Sequence, residues 1–179
     1  MIISVGDLVF MKNESVLSKA IRLVSTGKIG QEVPSHVAIV LNVLNDDIEL
    51  IEANYTGVRR IMLSKHKNCT FWFAQMRSPR AINLGIYWAI SQKGKGYDYT
   101  ALISIFLRSF VRLLSPAVYN RIKFLRNLLE SKMRWFCSEY VCFYARETGK
   151  DLWHHAPSET TPYDVFRSPE IILYGYKVT

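Results

Sequence analysis

Hydrophobic and polar positions along this chain change period several times, and the changes mark out its elements. Leu8-Val9-Phe10 follows a Gly6-Asp7 turn and reads as a short strand. Asn13 or Ser15 can cap a helix running to about Ser25, with Leu17, Ile21 and Val24 on one side and Gly27 as the stop. Pro34-Ser35 opens an apolar run, His36 to Leu41, with the length and composition of a buried strand. Asn45-Asp46-Asp47 is turn chemistry, and Ile48 to Ala53 is the next strand. Val58 to Leu63 and Thr70 to Met76 complete an expected antiparallel meander with short connections.

Ser78-Pro79 reads as a helix start, cap then first-turn proline, with the helix running to Gln92 and broken by Gly94-Lys95-Gly96. An apolar segment, Thr100 to Leu114, carries Ser104, Arg108 and Arg112 as a narrow polar stripe. A second helix follows with Val118, Ile122, Leu125 and Leu129 on one face. Cys137 to Thr148 is a helix stopped by Gly149, and after a polar, proline-punctuated loop Ile171 to Val178 is a last strand. The pattern is α+β: an antiparallel sheet or partial barrel against helices, one domain over 1–179, with a basic helical hairpin inserted at about 100–134.

At 179 residues with 49% hydrophobic content, the chain can bury a core and is not disordered. Its three cysteines, Cys69, Cys137 and Cys142, have no disulfide-framework spacing and point to free thiols. The net charge of +8 is concentrated. Between Ala101 and Trp135, seven basic residues face Glu130 alone, a patch suited to an anionic membrane surface or another acidic partner. The segment from Ala101 to Leu114 is too short and too charged to span a bilayer, which takes ~20 apolar residues. The first ten residues lack the charge pattern of an export signal. Cytoplasmic placement, with membrane association through 101–134 as the alternative, is the resulting expectation.

Candidate chemistry centres on Cys137, placed at a helix start after Trp135-Phe136. Unpaired N–H groups and the positive end of the helix dipole favour a thiolate there, and the thiolate is the nucleophilic form. A thiol nucleophile needs a base, and the base needs an orienting group. His36, at the start of a strand, has the best address for the base. His66 lies in a Lys-rich loop and reads as surface; His154 and His155 could line a pocket. No second ligand pair has zinc-like spacing, so neither metal nor cofactor is expected. Glu52, a carboxylate among Leu50, Ile51 and Ala53, is the candidate orienter. A hairpin centred on residue 44 sets Glu52 opposite His36, whereas the turn residues suggest a centre near Asp46 and set it opposite Val40. Both registers keep the pair on one face, and a bulge or wider loop near Asn42-Val43-Leu44 would close the gap in the second.

Several short motifs occur together in a fixed order: Gly6-Asp7-Leu8-Val9-Phe10, Ser35-His36-Val37-Ala38-Ile39-Val40, Ile51-Glu52-Ala53, Tyr97-Asp98-Tyr99, Phe136-Cys137-Ser138-Glu139-Tyr140-Val141 and Thr161-Pro162. The chain thereby resembles the YiiX-like branch of the NlpC cell-wall hydrolase superfamily, papain-like proteins of circularly permuted order. The resemblance implies Cys137 as nucleophile, His36 as general base then acid, Glu52 as the group fixing the imidazole, and Tyr97 as an active-site residue helping to hold substrate or oxyanion. The backbone N–H of Cys137 is a further oxyanion donor. It implies hydrolysis of an amide bond, in peptidoglycan stem peptides or a similar small peptide. The alternatives are a lipid acyl hydrolase or acyltransferase at a membrane surface, and a non-catalytic membrane-binding module on the same scaffold. No nucleic-acid motif is present, so no nucleic-acid partner is expected.

Overall fold

The computed structural model describes residues 2–27, 32–99, 134–152, 157 and 160–178. The expected hairpin at about 100–134 and the pair His154 and His155 lie outside these residues, except for Arg134. The fold is α+β. Strands β1 (Leu8–Lys12), β2 (His36–Val43), β3 (Ile48–Asn54), β4 (Gly57–Met62) and β5 (Thr70–Met76) belong to one sheet. A last strand of that sheet, Ile171–Val178, closes the order β4-β3-β2-β1-β5 beyond β5. Every pairing within this sheet is antiparallel, and the sheet does not close into a barrel.

The expected order of antiparallel neighbours holds from β1 to β4. Strand β5 does not return beside β4 but crosses to pair with β1. The crossing begins at a 3-10 turn, Leu63–Lys65, which the Asp47 carboxylate ties to the β2–β3 connection through the Ser64 N–H at 3.2 Å. Asn68 then takes a left-handed conformation (φ 55°), and Leu63, Cys69 and Phe71 turn under the sheet into a buried cluster. Strand β1, buried along nearly its whole length, gains a partner on each edge.

Helix α1 (Val16–Thr26) starts at Ser15, whose side chain accepts the Ser18 N–H, and stops at Gly27, left-handed at φ 68°. Helix α2 begins later than the Ser-Pro pair suggests. It spans Ile82–Ser91, because Ser78 is held at φ 46° in a turn and cannot act as the cap. Short strands β6 (Gly96–Tyr97) and β7 (Arg134–Trp135) pair in parallel and deliver the chain to helix α3 (Cys137–Glu147). The loop expected after Gly149 contains a further helix, α4 (Pro162–Phe166), capped by Thr161. The C-terminal strand is β8.

Side-chain alternation divides the interior in two. Leu8, Phe10, Val37, Ile39, Ile51 and Ala53 face the helices and pack with Tyr140, Val141 and Tyr144 of α3. Val9, Met11, Ala38, Val40, Leu50 and Phe71 fill a second cluster on the other face. Helix α3 is anchored at both sides: the Tyr140 hydroxyl donates to the Ala89 carbonyl at 2.8 Å, and Tyr144 donates to Gly6 at 2.9 Å. Among the described residues, no helix is long and apolar enough to cross a membrane.

Candidate active site

Cys137 is the first residue of α3, and His36 is the first residue of β2. Phe136 precedes the helix in extended conformation, and its N–H donates to the Glu139 carboxylate at 3.4 Å. That carboxylate sits at the positive end of the helix and fixes where the first turn begins. Upstream, Tyr97 pairs with Trp135 across β6–β7, and the Asp98 N–H donates to the Trp135 carbonyl at 3.2 Å. Two backbone links therefore hold Tyr97 beside the helix start. Its ring meets Phe136 edge-on, with centroids 6.1 Å apart.

His36 and Glu52 share parity with Val40 and Leu50, so both leave the sheet on the face of the second cluster. His36 Nε2 lies 2.7 Å from Glu52 Oε2. Glu52 is completely buried and fully engaged. Its other oxygen accepts from Asn54 at 2.8 Å and from the Arg59 guanidinium at 3.0 Å. His66 Nε2 stands 3.2 Å from Oε2 but off the line that a ring N–H bond requires. Sequence reading placed His66 on the surface; the crossing from β4 to β5 instead folds its loop back over Glu52. Its lysine-rich neighbours concealed that burial.

The protonation of this cluster follows from its contacts. Burial pulls the His36 imidazole down, but the Glu52 carboxylate and the Cys137 side chain outweigh it and raise the ring to about 10. Burial pushes the Glu52 carboxyl up, yet His36, with His66 adding, holds it well below the usual carboxylate range. With Nε2 committed to Glu52, Nδ1 is the nitrogen left for Cys137. Burial pushes the Tyr97 phenol well above its ordinary value, with the Cys137 charge adding, so its hydroxyl remains a neutral donor. Burial raises Cys142 to about 12, and burial also raises Cys69.

A cavity of about 340 Å³ opens over these groups, lined by Cys137, His36, Glu52 and Tyr97. His66 and Cys69 border it too, and the first turn of α1 forms a wall. Residues separated by 101 positions in the chain, Cys137 and His36, thus share one cleft.

The protein is defined at this point by an α+β fold with an open antiparallel sheet backed by helices, and by a cleft holding a thiol, an imidazole and a carboxylate. Among solved structures it is similar to the crystal structure of the metalloprotein YiiX from Escherichia coli O157:H7, with a TM-score of 0.65, 16% identity and 99% of each chain covered. At that identity the likeness establishes a YiiX-like fold. No protein-family model matches the chain, and no curated protein matches it.

That neighbour is a metalloprotein; among the described residues of the present chain the side chains do not fit a metal. Among the described residues, no three His, Cys, Asp or Glu side chains are grouped to hold an ion. The closest approach to such a group is Glu52 with two imidazoles. Its 2.7 Å contact to His36 is a direct hydrogen bond, shorter than two metal–ligand bonds of ~2.0–2.2 Å around a tetrahedral ion would set.

Proposed function

We propose that this protein is a cysteine hydrolase of permuted papain-like architecture, in the YiiX-like branch of the NlpC superfamily. It cleaves an amide bond in a small peptide, with peptidoglycan stem peptides as the leading class. The observation that carries this reading is the chain of contacts from Cys137, at a helix start, through His36 to the buried Glu52.

Each residue has a step. His36 Nδ1 takes the thiol proton while Nε2–H remains held by Glu52, which keeps the ring oriented and stabilises its charge. The sulfur attacks the amide carbon, and the oxyanion is met by the Cys137 backbone N–H and the Tyr97 hydroxyl. His36 returns the proton to the leaving nitrogen as the C–N bond breaks, leaving a thioester. Water, deprotonated by the same imidazole, attacks the thioester carbon and releases the acid and the free thiol.

Iodoacetamide labelling with peptide mapping tests the central contact. Near neutral pH, Cys137 is expected to label much faster than Cys69 and Cys142, and His36→Ala to slow it by at least tenfold. Equal rates at all three thiols would remove the nucleophile from this account.

A further inference from the structure

The two oxygens of Glu52 are not engaged alike. Oε1 accepts from Asn54 at 2.8 Å and from the Arg59 guanidinium at 3.0 Å. Oε2 faces two imidazoles, His36 at 2.7 Å and His66 at 3.2 Å, whose ring centroids are 6.4 Å apart. A carboxylate oxygen has room for two donors. His66 Nε2 is buried and makes no hydrogen bond among the described residues, although its distance to Oε2 is that of one and only the angle departs. A ring nitrogen so placed has given up water and gains full compensation only from that oxygen.

The loop backbone sets the ring there. The 3-10 turn Leu63–Lys65 ends at His66, whose N–H donates to the Leu63 carbonyl at 3.0 Å. Upstream, the Ser64 N–H donates to Asp47; downstream, the Cys69 thiol donates to the Lys67 carbonyl at 3.5 Å. Leu63 and Cys69 are buried on either side. The titratable groups that line the cavity with His66 are Glu52, His36 and Arg59 from the sheet, and Cys137 and Tyr97 from α3 and β6. Lys65, Lys67 and Cys69 join them from its own connection. Glu52 is the carboxylate among these groups, and an ionised carboxylate can only accept, so the nitrogen facing it is the one that carries hydrogen.

We infer that His66 is a positioning residue that acts through Glu52: its Nε2–H takes a share of Oε2 and so weakens the hold of that oxygen on His36. The inference rests on the reading of His36 as the base that serves Cys137. A base in that role must release its proton as well as take it, and it does both best when its affinity lies near the working pH. Burial pulls the His36 ring down, but Glu52 and Cys137 outweigh it and hold the ring at about 10. A second donor on Oε2 works against that hold, because it draws on the same negative charge. Burial opposes the charge on Glu52, and His36 first and His66 next sustain it.

Proton NMR titration of the His36 ring tests this in the parent, His66→Phe and His66→Gln. Phenylalanine keeps the bulk and removes the donor, whereas glutamine returns an amide N–H near the place of Nε2. The expected result is a rise of about one pH unit in the His36 midpoint for His66→Phe, a tenfold gain in proton affinity, with His66→Gln close to the parent. In a Glu52→Gln background the rise should disappear. If His66→Phe does not fold, His66→Asn, too short to reach Oε2, takes its place with the same expected rise. A midpoint unchanged or lowered without the donor, an equal rise in His66→Gln, or a rise that persists beside Glu52→Gln overturns the assignment. The titration makes no use of the reactivity of Cys137. Slow labelling of that thiol would remove the hydrolase reading and leave this result legible.

Discussion

Glu52 and His36 are not directly opposed on their neighbouring strands, yet their side chains meet at 2.7 Å. Strand β3 pairs Ile51 with Ile39 and Leu50 with Val40, a register that carries Glu52 to a place opposite Ala38. His36 lies two residues further along the same face, a diagonal neighbour. Diagonal neighbours on one face are ~7–8 Å apart at the backbone, a gap that a glutamate and a histidine reaching toward each other can close.

That contact predicts how Glu52→Gln behaves. The amide fills the same space but removes the charge facing His36 and Arg59, so the imidazole should titrate closer to its ordinary 6.5 than to about 10. Leaving partners of a buried ion pair uncompensated costs ~3 kcal/mol. Proton NMR of the His36 ring measures the first effect, and urea unfolding the second.

Stability should vary with pH on both flanks. His36 is raised from 6.5 to about 10 by folding, so the folded state holds a proton that the unfolded chain releases. Its contribution is complete below 6.5 and fades as pH rises toward about 10. Glu52 is depressed from 4.5, so its contribution is complete above 4.5 and fades as pH falls below that value. The urea midpoint is therefore expected to be highest between about 4.5 and 6.5, with His36→Gln flattening the alkaline limb and Glu52→Gln the acid one.

Tyr97→Phe separates packing from chemistry. The ring contact with Phe136 survives, and only the hydroxyl of this cleft-lining residue is lost. If that hydroxyl meets the oxyanion, acylation by p-nitrophenyl acetate should slow by ~10²-fold while the unfolding midpoint hardly moves. A variant as fast as the parent would return Tyr97 to a packing role.

Gly57 sits at φ 102° where β4 meets the segment leading to Tyr97. A Cβ there would stand 2.4 Å from the Lys95 carbonyl oxygen, on backbone that the Val58 N–H bonds at 2.8 Å. Gly57→Ala should lower stability by ~1–3 kcal/mol through strain alone. It should also slow alkylation of Cys137, because β6 aligns the start of α3 through Trp135.

The local elements were largely legible before the fold. Ser15 and Gly27 bound α1 by cap chemistry that acts within a few residues, and Thr70–Met76 and Ile171–Val178 announce themselves by composition. Where reading failed, longer-range forces were at work. Ser78-Pro79 has the chemistry of a helix start, but the chain turns at Ser78 and the helix waits until Ile82. The helix Pro162–Phe166 leaves no mark in the sequence pattern, because five residues carry too little periodicity to register. The register of β2 against β3 was neither of the two expected: the turn pairs Val43 with Ile48 and Asn42 with Glu49, and a further one-residue shift between Val40 and Asn42 sets Val40 opposite Leu50.

The sequence by itself determined the residue types available for chemistry and the local frames that carry them: a cysteine after two aromatics at a helix start, a histidine opening a strand, a glutamate among aliphatics. Cap and strand preferences are short-range, so they survive without knowledge of the fold. Only the tertiary structure decided which groups share a cleft. The crossing of β5 past β4 brought His66, Lys65 and Lys67 to the same cavity as Cys137. The burial of Glu52 among four partners turned an ambiguous strand carboxylate into the centre of a charged cluster, because a buried charge persists only where tertiary contacts compensate it.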